Sequence, residues 1–180
     1  MMNRRRRGPL IASISTLNAL VAIIMVVSTA SAASAAADAR VSATFAPPSS
    51  FASHPGVTYD PVIVPVGSRV QVRERPNQWG VVAVDLNVWG LTPSTRFDAY
   101  VYTRPCGATP TSAGKRTQDG PSTQHYPQNE VWLDFSTNAR GSAHASDDQY
   151  WRFNPGQANS VQLLSPTTTR VLACVTVHFR

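Results

Sequence analysis

The chain has 180 residues, 42% of them hydrophobic, with 16 lysines and arginines against 10 aspartates and glutamates, a formal charge of +6. Four of the cations form the block Arg4–Arg7, and beyond residue 40 eleven basic residues face nine acidic ones. The excess therefore belongs to the N-terminus and gives no ground for a nucleic-acid partner, while the remaining length suffices for one domain with a true core.

Read from the N-terminus, the arginine block precedes an apolar run from Pro9 to Val27 and then the small-residue stretch "STASAASAAADA". This order of charge, apolar run and Ala-x-Ala is that of a secretory signal peptide over residues 1–32, with alternative cleavage points between 32 and 39. A retained anchor is the competing reading, since the run approaches the ~20 residues a membrane helix needs. Ser13, Ser15, Thr16 and Asn18 inside the run favour export and cleavage. Cleavage leaves no membrane span in the mature chain and predicts a secreted or extracytoplasmic protein of the cell envelope.

Residues 33–57 are rich in Ala, Ser and Pro and read as a linker or loose arm, with the folded domain expected over 58–180. Within that domain, apolar residues recur with period two. Val70 and Val72 alternate with Arg69, Gln71 and Arg73, and Val82, Val84, Leu86 and Val88 alternate with Asp85 and Asn87. Val131, Leu133 and Phe135 do the same around Asp134, and the last run, "RVLACVTVHF", is rich in β-branched residues. Each pattern is that of a strand with one buried face. Breakers such as Gly67, Pro76-Asn77, Gly90, Gly141 and Asn154-Pro155-Gly156 divide the runs. About seven or eight strands follow, as in an all-β sandwich or barrel. Only Pro105 to Gln128 lacks alternation, and a connection that long within a compact domain is usually functional or disordered. Cys106 anchors it, and Cys174 is the only other cysteine. In an exported chain a disulfide is the stronger reading; a metal pair is the weaker one, because no CxxC or CxH spacing accompanies them.

Five separated motifs carry a resemblance. "TYDPVIVPVGSRVQV", "VWGLTPSTRFDAYVYTRPCG", "NEVWLDFSTNARGSA", "FNPGQANSVQLL" and "RVLACVTV" follow in order over residues 58 to 178. Together they resemble the copper/zinc superoxide dismutase family, particularly its secreted bacterial branch. The resemblance implies a Greek-key β-barrel or sandwich of about eight antiparallel strands, with one long disulfide-anchored loop.

It also implies where metals would sit. Active members of the family place two imidazoles on one strand face as His-Val-His, and here that triplet is Tyr100-Val101-Tyr102. The bridging and fourth copper positions map to Lys115 and Leu164. Neutral phenol is a poor copper ligand at neutral pH, a lysine brings a cation where a cation sat, and leucine offers no donor. On the zinc side Gln118 replaces a histidine, leaving His125 and an acidic partner, Glu130 or Asp119, as a residual zinc site or binding loop. Arg170 matches the family's anion-guiding arginine but lies one residue too far from Cys174, which either turns it to the other strand face or is absorbed by a bulge. His54, His144 and His178 match no ligand and read as structural or exposed.

The expectation is a superoxide dismutase-like domain without copper, zinc or catalysis, serving a non-catalytic binding or envelope role through partners the sequence does not identify. Tyr100, Tyr102, Tyr126 and Lys115 form the candidate binding surface. A bland reading carries equal weight, in which Tyr100 and Tyr102 merely pack beneath the loop. The alternative activity is that of a divergent metal-dependent dismutase converting superoxide to oxygen and hydrogen peroxide. A structural envelope domain tethered by an uncleaved N-terminus is a third.

Overall fold

The computed structural model describes residues 39–75 and 81–180. The expected signal peptide lies outside them. Among the described residues no helix is long and apolar enough to cross a membrane.

Nine strands make up the described fold: β1 (Arg40–Ala46), β2 (Gly56–Thr58), β3 (Arg69–Glu74), β4 (Val82–Trp89), β5 (Arg96–Tyr102), β6 (Phe135–Ser136), β7 (Ala143–Gln149), β8 (Ser160–Leu164) and β9 (Val171–Thr176). Among the described residues the only helical pieces are two 3-10 turns, Pro48–Ser50 and Pro110–Ala113. The strands form one sheet in the order β6-β5-β8-β9-β2-β1-β3-β4-β7. Its ends curl back until β6 lies against β7, giving a nearly closed barrel. Around it β5, β6 and β7 follow one another and β8 returns beside β5, which is Greek-key connectivity.

One expectation is corrected here. Much of the presumed linker is sheet: β1 sits mid-order and pairs antiparallel with β3 from Arg40↔Arg73 to Thr44↔Arg69. Its period-two pattern is real, with Phe45 buried at 1% exposure, but small residues disguise it. The all-β barrel follows the expectation of about eight strands, with nine among the described residues and one parallel pair, β1 and β2, through Phe45↔Gly56 and Ala46↔Val57. Gly56 permits this close approach, because a Cβ there would stand 2.9 Å from the Thr44 carbonyl oxygen.

The core follows from strand alternation. Val70, Val72, Leu86, Phe97, Leu133 and Leu163 point inward and are at most 1% exposed. The run Val131–Phe135 forms only a partial strand. Asp134 Oδ1 accepts the Ala99 amide at 3.0 Å, so a side chain replaces one rung of the ladder beside β5. Across the barrel's seam, the Trp132 amide donates to Asp147 Oδ2 at 2.7 Å, and Gln149 Nε2 donates to the Glu130 carbonyl at 2.9 Å. Side chains thus close what the ladder leaves open.

Cys106 and Cys174 form the expected disulfide, separated by 68 residues in sequence. Constraining a loop of that length in the unfolded chain contributes roughly 4 kcal/mol in the chain-entropy treatment. Replacing both cysteines by alanine is expected to lower the melting temperature by many degrees in a calorimetric scan. An unchanged transition would show that the bond adds nothing to folding.

Candidate functional site

Alternation along β5 turns Phe97, Ala99 and Val101 into the core and sends Tyr100 and Tyr102 to the opposite face together. There the tyrosines join Val57, Cys106, Leu164 and Cys174 in a second, smaller apolar cluster. Tyr100 is 6% and Tyr102 9% exposed, so both pack beneath the long loop instead of lining an open surface. Of the four residues proposed as a binding surface, Lys115 and Tyr126 alone are exposed.

The loop's position explains a further correction. Residues 113–117 run antiparallel to the end of β5: the Thr103 amide donates to Lys115 O at 2.9 Å, the Thr117 amide to Val101 O at 2.9 Å, and Tyr102 and Arg116 form a bridge pair. In such a register neighbouring residues point to opposite sides. Lys115 therefore faces solvent, and Arg116 is the cation that reaches the tyrosines. Its guanidinium carbon stands 3.4 Å from the centroid of the Tyr100 ring. It also lies across from Tyr102, its bridge partner, close enough for the guanidinium and the phenol to interact electrostatically.

Arg116 is held by Glu130, whose side chain is 1% exposed. Glu130 Oε2 accepts Arg116 Nη1 at 3.2 Å and Trp132 Nε1 at 3.1 Å. Oε1 accepts Gln118 Nε2 at 3.0 Å and is bonded to His125 Nδ1. Trp132 in turn meets Tyr100 edge-on, ring centroids 5.5 Å apart. Gln118, His125 and Glu130, which the sequence grouped as a residual zinc site or binding loop, are thus in contact, but the carboxylate is already occupied by four donors. Arg116 and Trp132 were not singled out from the sequence. The available signal was alternation, since Glu130 and Trp132 share a parity opposite to Val131 and Leu133.

The electrostatics are those of an ion cluster centred on a buried carboxylate, with Arg116 partly and His125 largely exposed. Burial opposes charge on Glu130, yet bonds from His125, Gln118, Trp132 and Arg116 hold its carboxyl below the usual range. Burial likewise opposes the Arg116 charge, and Glu130 together with the tyrosines keeps it above its ordinary value. Tyr100 is pushed up to about 12, first by burial and then by the Asp134 carboxylate. Tyr102 rises for the same first reason. Both phenols are therefore neutral near pH 7.

This donor set does not fit a copper and zinc pair. The two phenols are protonated, Leu164 has no donor atom, a guanidinium fills the space over Tyr100, and both oxygens of Glu130 are taken. Among the described residues no three His, Cys, Asp or Glu side chains converge. Asp119 reaches the cluster's rim only through its backbone, donating its amide to Asn129 O at 3.0 Å.

Arg170 is not brought to the tyrosines. The extra residue before Cys174 is absorbed by a bulge at Leu172, between the pairs Leu163↔Ala173 and Leu164↔Val171. Arg170, 59% exposed, pairs with Asp60. The other histidines have local partners: His54 Nδ1 meets Ser53 Oγ, His144 Nδ1 meets Asn87 Oδ1 and His178 Nδ1 meets Asn159 Oδ1.

No protein-family model and no curated protein matches the sequence. Among solved structures, the chain is similar to Candida albicans superoxide dismutase 5 in its Cu(II) form, at a TM-score of 0.49 and 14% identity over 80% of this chain and 94% of that one. Two mutant forms of the same Candida albicans protein align at a TM-score of 0.49, with 13% and 12% identity over 79% of this chain and 92% and 90% of theirs.

The Glu130 network has a signed pH dependence. Because its folded pKa lies below the unfolded value, its stabilisation is present above the ordinary carboxylate range and is lost as pH falls through the folded pKa. Glu130→Gln is expected to cost about 3 kcal/mol at neutral pH, since it strands Arg116, and to flatten the acid limb of a plot of melting temperature against pH. A variant as stable and as acid-sensitive as the parent would show that the cluster contributes nothing.

Proposed function

We propose that this chain is a secreted, copper/zinc superoxide dismutase-like domain that binds neither metal, does not dismutate superoxide, and serves a non-catalytic binding or envelope role. The observation that carries the reading is the Arg116–Glu130 pair seated against Tyr100 and Tyr102. A copper site that cycles between two oxidation states needs several imidazole donors, and this pocket offers two neutral phenols and a fixed cation. The guanidinium takes the electrostatic place of a metal ion and satisfies a carboxylate that would otherwise be buried unpaired. The five sequence motifs, the all-β barrel and the Cys106–Cys174 bond support the family assignment, and the apolar run followed by Ala-x-Ala supports export. What the family site retains is its scaffold: paired positions on β5, a loop pinned by the disulfide, and a cationic centre.

Elemental analysis of protein produced in an oxidising compartment with copper and zinc supplied, paired with a superoxide-consumption assay, tests the reading. The expected result is far less than one copper per chain and no consumption beyond the uncatalysed rate. One copper per chain with turnover would establish the divergent-dismutase alternative, and one zinc without copper would make His125 a ligand.

A further inference from the structure

Independently of the tyrosine cluster, the solvent face of β1, β3 and β4 carries an open groove of about 520 Å³. That size lies within the ~300–1,000 Å³ of clefts that take small ligands. Its walls and floor differ in character. Ser42 and Thr44 are short hydroxyls on β1, flanked by Arg69 and Gln71 on β3 and by Trp89 on β4. Thr44, Arg69 and Trp89 form one row across the three strands, and Ser42, Gln71 and Asn87 form the next. Gln71 Nε2 donates to Ser42 Oγ at 3.1 Å.

Arg69 is the charged group of the groove. It is exposed, and its guanidinium lies 5.5 Å from the Trp89 ring centroid, where the indole face restrains it. Among the described residues no carboxylate pairs with it. Asp85, on the neighbouring strand, lies two rungs away and is held in a two-bond fork by Arg75, Nε to Oδ2 and Nη2 to Oδ1. A restrained guanidinium without a counter-ion presents a ready fork for a carboxylate. Beside it, hydroxyl and amide groups offer donors and acceptors spaced about 4.8 Å across strands and ~6.8 Å along them.

We propose that this face binds an acidic polysaccharide, with Arg69 taking a sugar carboxylate and Ser42, Thr44 and Gln71 taking ring hydroxyls. An extended peptide could not add to the sheet here, because β1, β3 and β4 each have ladder partners on both sides. A second copy of the chain is disfavoured by charge, since a two-fold contact would set Arg69 of one molecule near Arg69 of the other.

Affinity electrophoresis of the full oxidised protein through gels containing polygalacturonate, at ~0.15 M ionic strength, tests this. The proposal expects retardation that falls at least tenfold in Arg69→Gln and in Trp89→Ala, with circular dichroism confirming that each variant is folded. It also expects the fully methyl-esterified polymer to retard the protein at least tenfold less. Arg104→Gln, which removes an exposed cation on the loop after β5, should leave retardation unchanged. Absence of retardation, equal retardation by the ester, an undiminished Arg69→Gln variant, or equal loss in Arg104→Gln would each overturn the proposal. So would a dimer in sedimentation that Arg69→Gln dissociates, which would make the face a self-interface.

Discussion

A carboxylate that is 1% exposed must be paired and fully hydrogen-bonded, and the environment of Glu130 is built to that requirement. Gln118 and His125 come from the long loop, Arg116 from the segment lying along β5, and Trp132 from the run beside the barrel's seam. The backbone carbonyl of the same residue accepts Gln149 Nε2 from β7. One residue therefore ties together the loop, the irregular edge near β6 and the strand across the opening. With the disulfide fixing the other end of the loop at Cys106, a segment without strand alternation becomes a fixed cover over Tyr100 and Tyr102.

That cover decides what the face beneath it can do. Two same-face positions on β5 and the loop crossing above them enclose a charge, and each of these groups is satisfied by a partner within the chain. The phenols are protonated, the cation is covalent and permanent, and Leu164 extends the apolar floor. Burial keeps Tyr100 and Tyr102 from acting as a recognition surface. The open groove that carries Arg69 and Trp89 lies elsewhere on the sheet, over β1, β3 and β4.

Much of this was legible in the sequence, for reasons that can be traced residue by residue. Strands β3 and β4 announce themselves because large apolar side chains alternate with charged ones, and the β5 triplet Tyr-Val-Tyr places both phenols on one side by parity alone. β1 was hidden because its inward residues include Ala43, a weak hydrophobic signal, within an Ala/Ser/Pro-rich context. Its parallel pairing with β2 depends on Gly56 accepting close contact with Thr44, which composition does not encode. The cation was placed one residue early, at Lys115, because register between a loop and a strand is a tertiary property and a slip of one inverts every side chain. For Arg170 the extra residue and the two ways of accommodating it are visible in the sequence, whereas the choice of a bulge at Leu172 and of Asp60 as partner is made by the tertiary structure.

The central claim is that the buried Glu130 and the partly buried Arg116 form a mutually dependent charge pair at the site's centre. A double-mutant cycle of Arg116→Met and Glu130→Gln, measured by denaturant unfolding at neutral pH, tests it most directly. The account predicts that the double variant recovers at least ~1 kcal/mol relative to the sum of the two single losses. Losses that add to within ~0.5 kcal/mol would mean the two residues act separately, and the cation would then have no claim to the place of a metal.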